Sequence, residues 1–192
     1  AGKTILSRVT FDGSGSWSIS GNFTCNRIVT LNQGDLDLNN KVLSCESFIS
    51  STSKVRTITL GNKTHSFANY WYCEDGTNLT VIPGTSTLDV GGNYFLGGDQ
   101  PYNIVNINGS GTCTIRGNNS FNSLSVPFSK NIKIEGGKTQ SVNTLSILSG
   151  TGCTDFATLS TENPGTPATI FKNGGPVTLD YVLITDVTHT GT

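Results

Sequence analysis

Pairs of carboxylates are the first residues in this chain whose type and spacing could do chemistry. Side chains two residues apart on a strand point to the same face, so two nearby carboxylates could hold Ca²⁺ or act as the acid and base of a sugar-cleaving enzyme. Three pairs stand in the sequence: Asp35 with Asp37, Glu74 with Asp75, and Asp180 with Asp186. On a strand surface, however, such pairs are usually solvated charges that protect a sheet edge, and we favour that interpretation.

Two aromatic-rich segments are the stronger candidates for recognition. They read HSFANYWYCEDG and NYFLGGDQPY. Exposed aromatic clusters stack on sugar rings or pack into protein interfaces. The predicted contact residues are Phe67, Tyr70, Trp71, Tyr72, Tyr94 and Tyr102. Trp71 is the first choice if it is exposed. The competing interpretation, which we consider the better one, is that alternate members of each segment fill the protein interior.

The five cysteines favour core packing over chemistry. Cys25 and Cys45 are 20 residues apart, and Cys73, Cys113 and Cys153 follow one another at intervals of 40. An odd number leaves at least one thiol free, and no C-x-x-C or paired Cys/His spacing indicates a metal site. If Cys25 and Cys45 lie on neighbouring strands, their Cα atoms come within reach of a disulfide, so their oxidation state stays open. Small buried hydrophobic residues remain the favoured interpretation.

A catalytic centre is not predicted. The only histidines, His65 and His189, are far apart in the sequence, and no G-x-S-x-G segment supplies a nucleophile. We therefore predict no catalytic residue, no metal and no cofactor.

The predicted strands that must position these residues recur with a period of about twenty residues. Short runs of alternating apolar and polar residues, separated by Gly and Asn, return from Gly15 to the C-terminus. Alternation of this kind predicts strands, and its regular return predicts a solenoid. The predicted inward positions are Trp17, Ile19, Phe23, Cys25, Leu31, Leu36, Leu38, Leu43, Cys45, Ile58, Leu60, Leu79, Val81, Leu88, Val90, Val105, Ile107, Cys113, Ile115, Leu124, Val126, Ile132 and Ile134.

We accordingly predict an all-β fold, a right-handed parallel β-helix (β-solenoid) of about eight coils. Residues 1–14 are expected to be an N-terminal lead-in and residues 15–192 a single solenoid domain, with Glu46 one coil after Asp35 and Asp37. A β-sandwich is the alternative, because regularly spaced short strands also describe that class. Self-similar phrases such as GNFTCNRIVTL and SGTCTIRGNNSF favour the solenoid, since sandwich strands need no such repetition.

Composition narrows the function classes. Only 13% of the 192 residues are charged, the net charge is −1, and no two basic residues are adjacent. A nucleic-acid partner is therefore not expected, because its affinity depends on neutralising phosphates. Membrane insertion is not expected either, since no run approaches about 20 apolar residues. The chain has no methionine and ends on a polar segment, so we expect it to be part of a longer polypeptide.

Several phrases carry a resemblance that covers nearly the whole chain, from Gly15 to Asp186. They are TCNRIVTLNQGDLDLNNKVLS, NINGSGTCTIRGNNSFNSLSV and NPGTPATIFKNGGPVTLDYVLITDV. Together they resemble a large family of repetitive right-handed β-helix proteins from tailed bacteriophages and related bacterial secreted proteins. Where family members continue into an Ala-Thr-Gly-Gly and aromatic segment, this chain has VTHTGT after Asp186.

The resemblance implies a structural role, without enzymatic activity, in a phage virion or appendage such as a tail fibre. Expected partners are other virion proteins or copies of the same chain, with host surface polysaccharide as a contact. Two alternatives stay open. One is a bacterial adhesin of the same fold, extracellular or on the cell surface, and the other is a polysaccharide lyase or hydrolase.

Overall fold

Every strand pairing among the described residues is parallel. The computed structural model describes residues 3–126, 130–148, 156–174 and 177–191. Within these ranges there is no helix, and so none that could cross a membrane. The strands stack into a β-solenoid of about eight coils, as the sequence predicts. The sandwich alternative is wrong, because sandwich sheets are antiparallel.

The strands are short because each spans one side of a coil. In chain order they are β1 (Lys3–Ile5), β2 (Val9–Phe11), β3 (Ser16–Ser18), β4 (Phe23–Leu31), β5 (Gly34–Asp37), β6 (Leu43–Ile49), β7 (Arg56–Thr59), β8 (Thr64–Tyr72), β9 (Leu79–Ile82), β10 (Thr87–Val90), β11 (Tyr94–Leu96), β12 (Pro101–Ile107), β13 (Thr112–Arg116), β14 (Ser120–Val126), β15 (Asn131–Ile134), β16 (Thr139–Leu148), β17 (Ala157–Thr161), β18 (Ala168–Lys172), β19 (Thr178–Asp180), β20 (Val182–Thr185) and β21 (Val187–Thr190).

The strands form three faces along the stack, and the hydrogen-bonded ladder of face C is interrupted between β9 and β12. Face A consists of β1, the first parts of β4, β6 and β8, then β10, the last parts of β12, β14 and β16, and β19. Face B consists of β2, the last parts of β4, β6 and β8, then β11, β13, β15, β17 and β20. Face C consists of β3, β5, β7 and β9, then the first parts of β12, β14 and β16, followed by β18 and β21.

The solenoid begins earlier than the sequence pattern suggests. Lys3 is in register with Phe23, and Val9 with Val29, so β1 and β2 belong to the first coil. The segment 1–14 therefore contains two strands of the stack and is not a separate lead-in. Its alternation is hard to see in the sequence because each of these strands has only three residues.

The core is one column of side chains enclosed by the three faces. Every predicted inward position is either buried or packed against this column. Burying one such Leu, Ile or Phe side chain contributes roughly 1.5–3 kcal/mol, so a continuous apolar column supplies the main stabilisation. The same pattern fixes the register of the strands, because a slip of one residue would move the apolar side chains of a strand from the core to the solvent.

A buried aromatic stack occupies the middle coils of the column. Phe48 and Trp71 are stacked with ring centroids 4.5 Å apart, and Trp71 meets Tyr102 edge to face at 6.0 Å. The indole N–H of Trp71 donates to the hydroxyl of Tyr102 over 2.9 Å, and this hydroxyl donates to the carbonyl of Gly97 over 2.8 Å. The two polar groups are thus satisfied inside the core, as buried N–H and O–H groups must be.

The corners need residues that tolerate a left-handed backbone. Gly34 has φ of 82°, and a Cβ there would lie 2.3 Å from the carbonyl oxygens of Gly13 and Gly15 on the preceding coil. Asn39 and Asn40 adopt φ of 47° and 55°, which asparagine accepts more readily than most residues. The Gly and Asn residues that recur between the strands therefore mark the places where each coil turns.

Buried Arg56 links the corners of two successive coils. Its guanidinium donates to Ser50 Oγ over 2.8 Å and to the carbonyl of Thr77 over 2.8 Å, and it also bonds the carbonyls of Ser50, Lys54 and Asp75. Burial lowers the pKa of this group. Because the five acceptors come from two successive coils, Arg56 ties together the loops that follow β6 and β8.

Candidate functional site

In the two aromatic segments, alternate side chains point into the core of the solenoid and out to its surface. Phe67, Trp71 and Tyr102 are buried in the core, with at most 3% of each residue exposed. Their prediction as contact residues is therefore wrong, and the competing interpretation that alternate members fill the interior is confirmed. The physical reason is the period of two: in β8 the pattern that turns Tyr70 and Tyr72 outward must turn Trp71 inward.

Three tyrosines from these segments lie on the outside of face B, and we call them the tyrosine strip: Tyr70, Tyr72 and Tyr94. Tyr70 and Tyr94 are register partners on neighbouring coils, and their rings meet edge to face with centroids 5.6 Å apart. Tyr94 has 38% of its surface exposed. Register, not sequence proximity, brings these two rings together, because 24 residues separate them.

A row of charged residues runs beside the strip, at the corner between faces B and C. We call it the charged corner: Glu74, Asp99, Arg116, Glu135, Lys138 and Glu162. Arg116 donates to both carboxylate oxygens of Glu162 over 2.9 and 2.7 Å, and to Glu74 over 2.8 Å. The hydroxyl of Tyr72 donates to the other oxygen of Glu74 over 2.7 Å, which joins the corner to the strip.

The remaining carboxylates of the corner bind backbone groups. Glu135 accepts from the N–H of Gly117 over 2.9 Å, and Asp99 accepts from the N–H of Asn118. Each of these bonds links one coil to the next. Glu74, Asp99, Arg116, Glu135 and Glu162 are therefore held by hydrogen bonds along several successive coils.

Hydrogen bonds within the charged corner shift the pKa values of its members. Hydrogen bonding to Arg116 lowers the pKa of the Glu162 carboxyl, and hydrogen bonding to Glu162 raises the pKa of Arg116. The pKa of Tyr72 is raised by its bond to Glu74. Near neutral pH Arg116 and Glu162 therefore form an ionised pair, and Tyr72 keeps its phenolic proton.

The carboxylate pairs of the sequence are distributed over different parts of the surface. Asp35 and Asp37 do point the same way, on the outside of face C. Glu46 lies elsewhere, at the bend between faces A and B, where it accepts from the side chain of Asn69 over 3.0 Å. Asp75 accepts from the N–H of Thr77 in its own turn, which lowers its pKa. The side chain of Asp180 lies outside the described residues, so its pairing with Asp186 stays a prediction.

Sequence reasoning missed Arg116, Glu135 and Glu162. They lie up to 46 residues apart in the chain, so only the register of face B shows that they are neighbours. The sequence does contain a pattern that marks two of these residues. In the phrases TIRG and IKIEGG a charged residue directly follows the last inward residue of a face B strand and precedes a glycine.

The described cysteines are packing residues, and we call them the four core cysteines: Cys25, Cys45, Cys73 and Cys113. All four are free and buried. Cys25 and Cys45 are register partners on adjacent coils, as predicted. Cys73 and Cys113 are not equivalent, because Cys73 follows the end of β8 whereas Cys113 lies near the start of β13. Cys153 lies outside the described residues.

The described residues offer little for metal or acid–base chemistry. They contain no group of three or more His, Cys, Asp or Glu side chains that could hold a metal ion. His65 is buried with both ring nitrogens bonded to backbone groups, and His189 lies on the last coil, so the two histidines are far apart.

Comparison with family models, with curated protein sequences and with solved structures finds no match.

Proposed function

We propose that this chain is a structural, non-enzymatic β-solenoid of a phage virion or appendage, and that its tyrosine strip and charged corner contact a bacterial surface polysaccharide. The observation that carries the glycan contact is the Tyr70–Tyr94 ring pair, in which Tyr94 is exposed and Tyr70 is half-buried, beside a row of charged side chains. Aromatic rings pack on the C–H faces of sugars, and oriented ionised groups bond their hydroxyls. The assignment to a virion rests on the family resemblance of the sequence.

The geometry of the stack suits an extended partner. Neighbouring coils are about 4.8 Å apart, so eight coils make a rod roughly 38 Å long. The strip spans two neighbouring coils, and the charged corner continues along the following ones. A polysaccharide lying along the rod would meet aromatic rings at two coils and charged side chains at the successive coils of the corner.

The ionisation of the surface carboxyls favours binding over cleavage. A sugar-cleaving acid needs a raised pKa so that it still carries a proton near neutral pH. Among the described residues, the carboxyls whose pKa is shifted are Asp12, Asp75 and Glu162, and each is shifted downward by hydrogen bonds. Such groups accept hydrogen bonds from a ligand but are poor proton donors.

The contact is tested by binding of isolated bacterial surface polysaccharides to the purified chain. Tyr94→Ala should weaken binding roughly fivefold, since an aromatic contact is worth about 1 kcal/mol. Phe156→Ala removes an exposed aromatic ring outside the strip and is the matched control. Equal affinities of wild type and Tyr94→Ala would refute the role of the strip.

The location is tested separately. Mass spectrometry of purified phage particles should detect this polypeptide together with other virion proteins. Its absence from particles, together with an export signal in the full-length gene, would favour the adhesin alternative instead.

A further inference from the structure

A second groove lies at the opposite corner of the rod, where the chain passes from face C to face A. We call it the amide groove and define it by Ser120, Asn122, Ser141, Asn143, Phe171 and Asn173. Its volume is about 210 Å³, and its floor is formed by the edges of Tyr102 and Phe121, which stack in the core. It belongs to different coil sides from the tyrosine strip and shares none of its residues.

One wall of the groove is a ladder of side-chain amides. The amide N–H of Asn122 donates to Asn103 Oδ1 over 3.2 Å, and that of Asn143 donates to Asn122 Oδ1 over 3.3 Å. Each amide is thereby held in one orientation. Every Asn keeps a second N–H and a second lone pair, so the ladder presents alternating donors and acceptors to the groove.

The other wall combines hydroxyls with an exposed ring. Ser120, Ser141 and Phe171 are register partners on three successive coils. Neither serine hydroxyl bonds another group of the described residues, so both are available to a ligand. Phe171 leaves 40% of its surface exposed at an outward position whose neighbours in the ladder are serine and threonine.

The groove carries no charged side chain. The nearest cation in the sequence, Lys172, points inward and is 3% exposed, with its ammonium bonded to the carbonyls of Asn143 and Gly174. An anionic ligand would find no counter-charge there, and a cationic ligand would find no carboxylate. What fits is an uncharged molecule with many hydroxyls and an apolar face.

From this arrangement we infer that the amide groove binds neutral hexose oligosaccharides, with one sugar packed on Phe171 and its hydroxyls bonded to Asn122, Asn143 and Ser141. Paired donors and acceptors match sugar hydroxyls, and the ring matches the C–H face. This site differs in chemistry from the charged corner, and its existence does not depend on the proposed contact at the tyrosine strip.

The test is a titration of the full 192-residue chain with neutral gluco-, galacto- and manno-hexaoses, followed by NMR or calorimetry. At least one of these should bind, Phe171→Ala should weaken it roughly fivefold, as expected for the loss of one aromatic contact, and Phe171→Trp should retain it. Thermal melting checks that each variant is folded, which is expected because Phe171 is partly exposed. Phe156→Ala is the matched control for loss of an exposed phenylalanine.

Three results would overturn the inference. The first is that none of the neutral hexaoses binds. The second is that Phe171→Ala binds as tightly as wild type. The third is that Tyr94→Ala abolishes binding, which would assign the sugar to the tyrosine strip. Failure at the amide groove leaves the Tyr94 comparison with surface polysaccharide unaffected, so the two proposals fail independently.

Discussion

His65 should make this protein lose stability in mild acid. The imidazole is fully buried and bridges two coils: Nδ1 accepts from the N–H of Leu43 over 3.1 Å, and Nε2 donates to the carbonyl of Leu60 over 3.0 Å. These bonds require the neutral ring. Protonation would place a hydrogen on Nδ1 against the Leu43 N–H and leave a charge in the core.

The sign of the effect follows from the direction of the pKa shift. Burial lowers the pKa of His65 below its usual value, so the unfolded chain takes up a proton at a higher pH than the folded chain. The contribution of neutral His65 to the free energy of unfolding is complete above about pH 6.5. It is lost as the pH falls through the folded pKa. For one histidine the linkage relation bounds the loss between pH 7.5 and 5.5 at roughly 1 kcal/mol.

The assay is urea unfolding of wild type, His65→Gln and His189→Gln at pH 7.5, 6.5 and 5.5. Wild type and His189→Gln should lose up to roughly 1 kcal/mol over this range, whereas His65→Gln should lose little because the glutamine does not titrate. His189 is exposed and is therefore the matched control. A pH dependence that His65→Gln leaves intact would refute this account of the bridge.

Three further perturbations test the core and the charged corner. Arg116→Ala should cost about 1 kcal/mol at low salt and less at high salt, because its bonds to Glu162 are partly exposed; urea unfolding at two salt concentrations measures this. Tyr102→Phe should cost about 1–3 kcal/mol in the same assay, since Trp71 loses its buried acceptor. The four core cysteines should react with a thiol reagent only upon unfolding, and peptide mapping that finds rapid labelling of the native chain would contradict their burial.

The fold was predictable because every coil of a solenoid repeats the same local pattern, a short alternating strand followed by a turn. Alternation placed residues such as Leu36 and Ile134 correctly inside, and the Gly/Asn corners marked where each coil turns. The first coil was missed because three-residue strands show too little alternation. Cys73 and Cys113 are 40 residues apart but occupy different places in their coils, because coils differ in length and a constant spacing need not mean the same place in the coil.

The site was only half predictable for a related reason. The sequence identified the aromatic segments but could not decide which ring of each pair faces out until the phase of β8 was known. The partners of Arg116 depend on register across coils of unequal length, which a single sequence does not reveal. Pattern therefore predicts which residues are inside, whereas pairing across coils requires the structure.

The central claim is that this rod binds a surface polysaccharide and leaves it intact. The most direct test incubates the purified chain with isolated bacterial surface polysaccharides, recovers the bound fraction and measures its chain length by size-exclusion chromatography. The account predicts a bound polysaccharide of unchanged length, with less recovered by Tyr94→Ala. Shortened chains or unsaturated products would show cleavage instead, and either result would contradict the account, as would the absence of any bound polysaccharide.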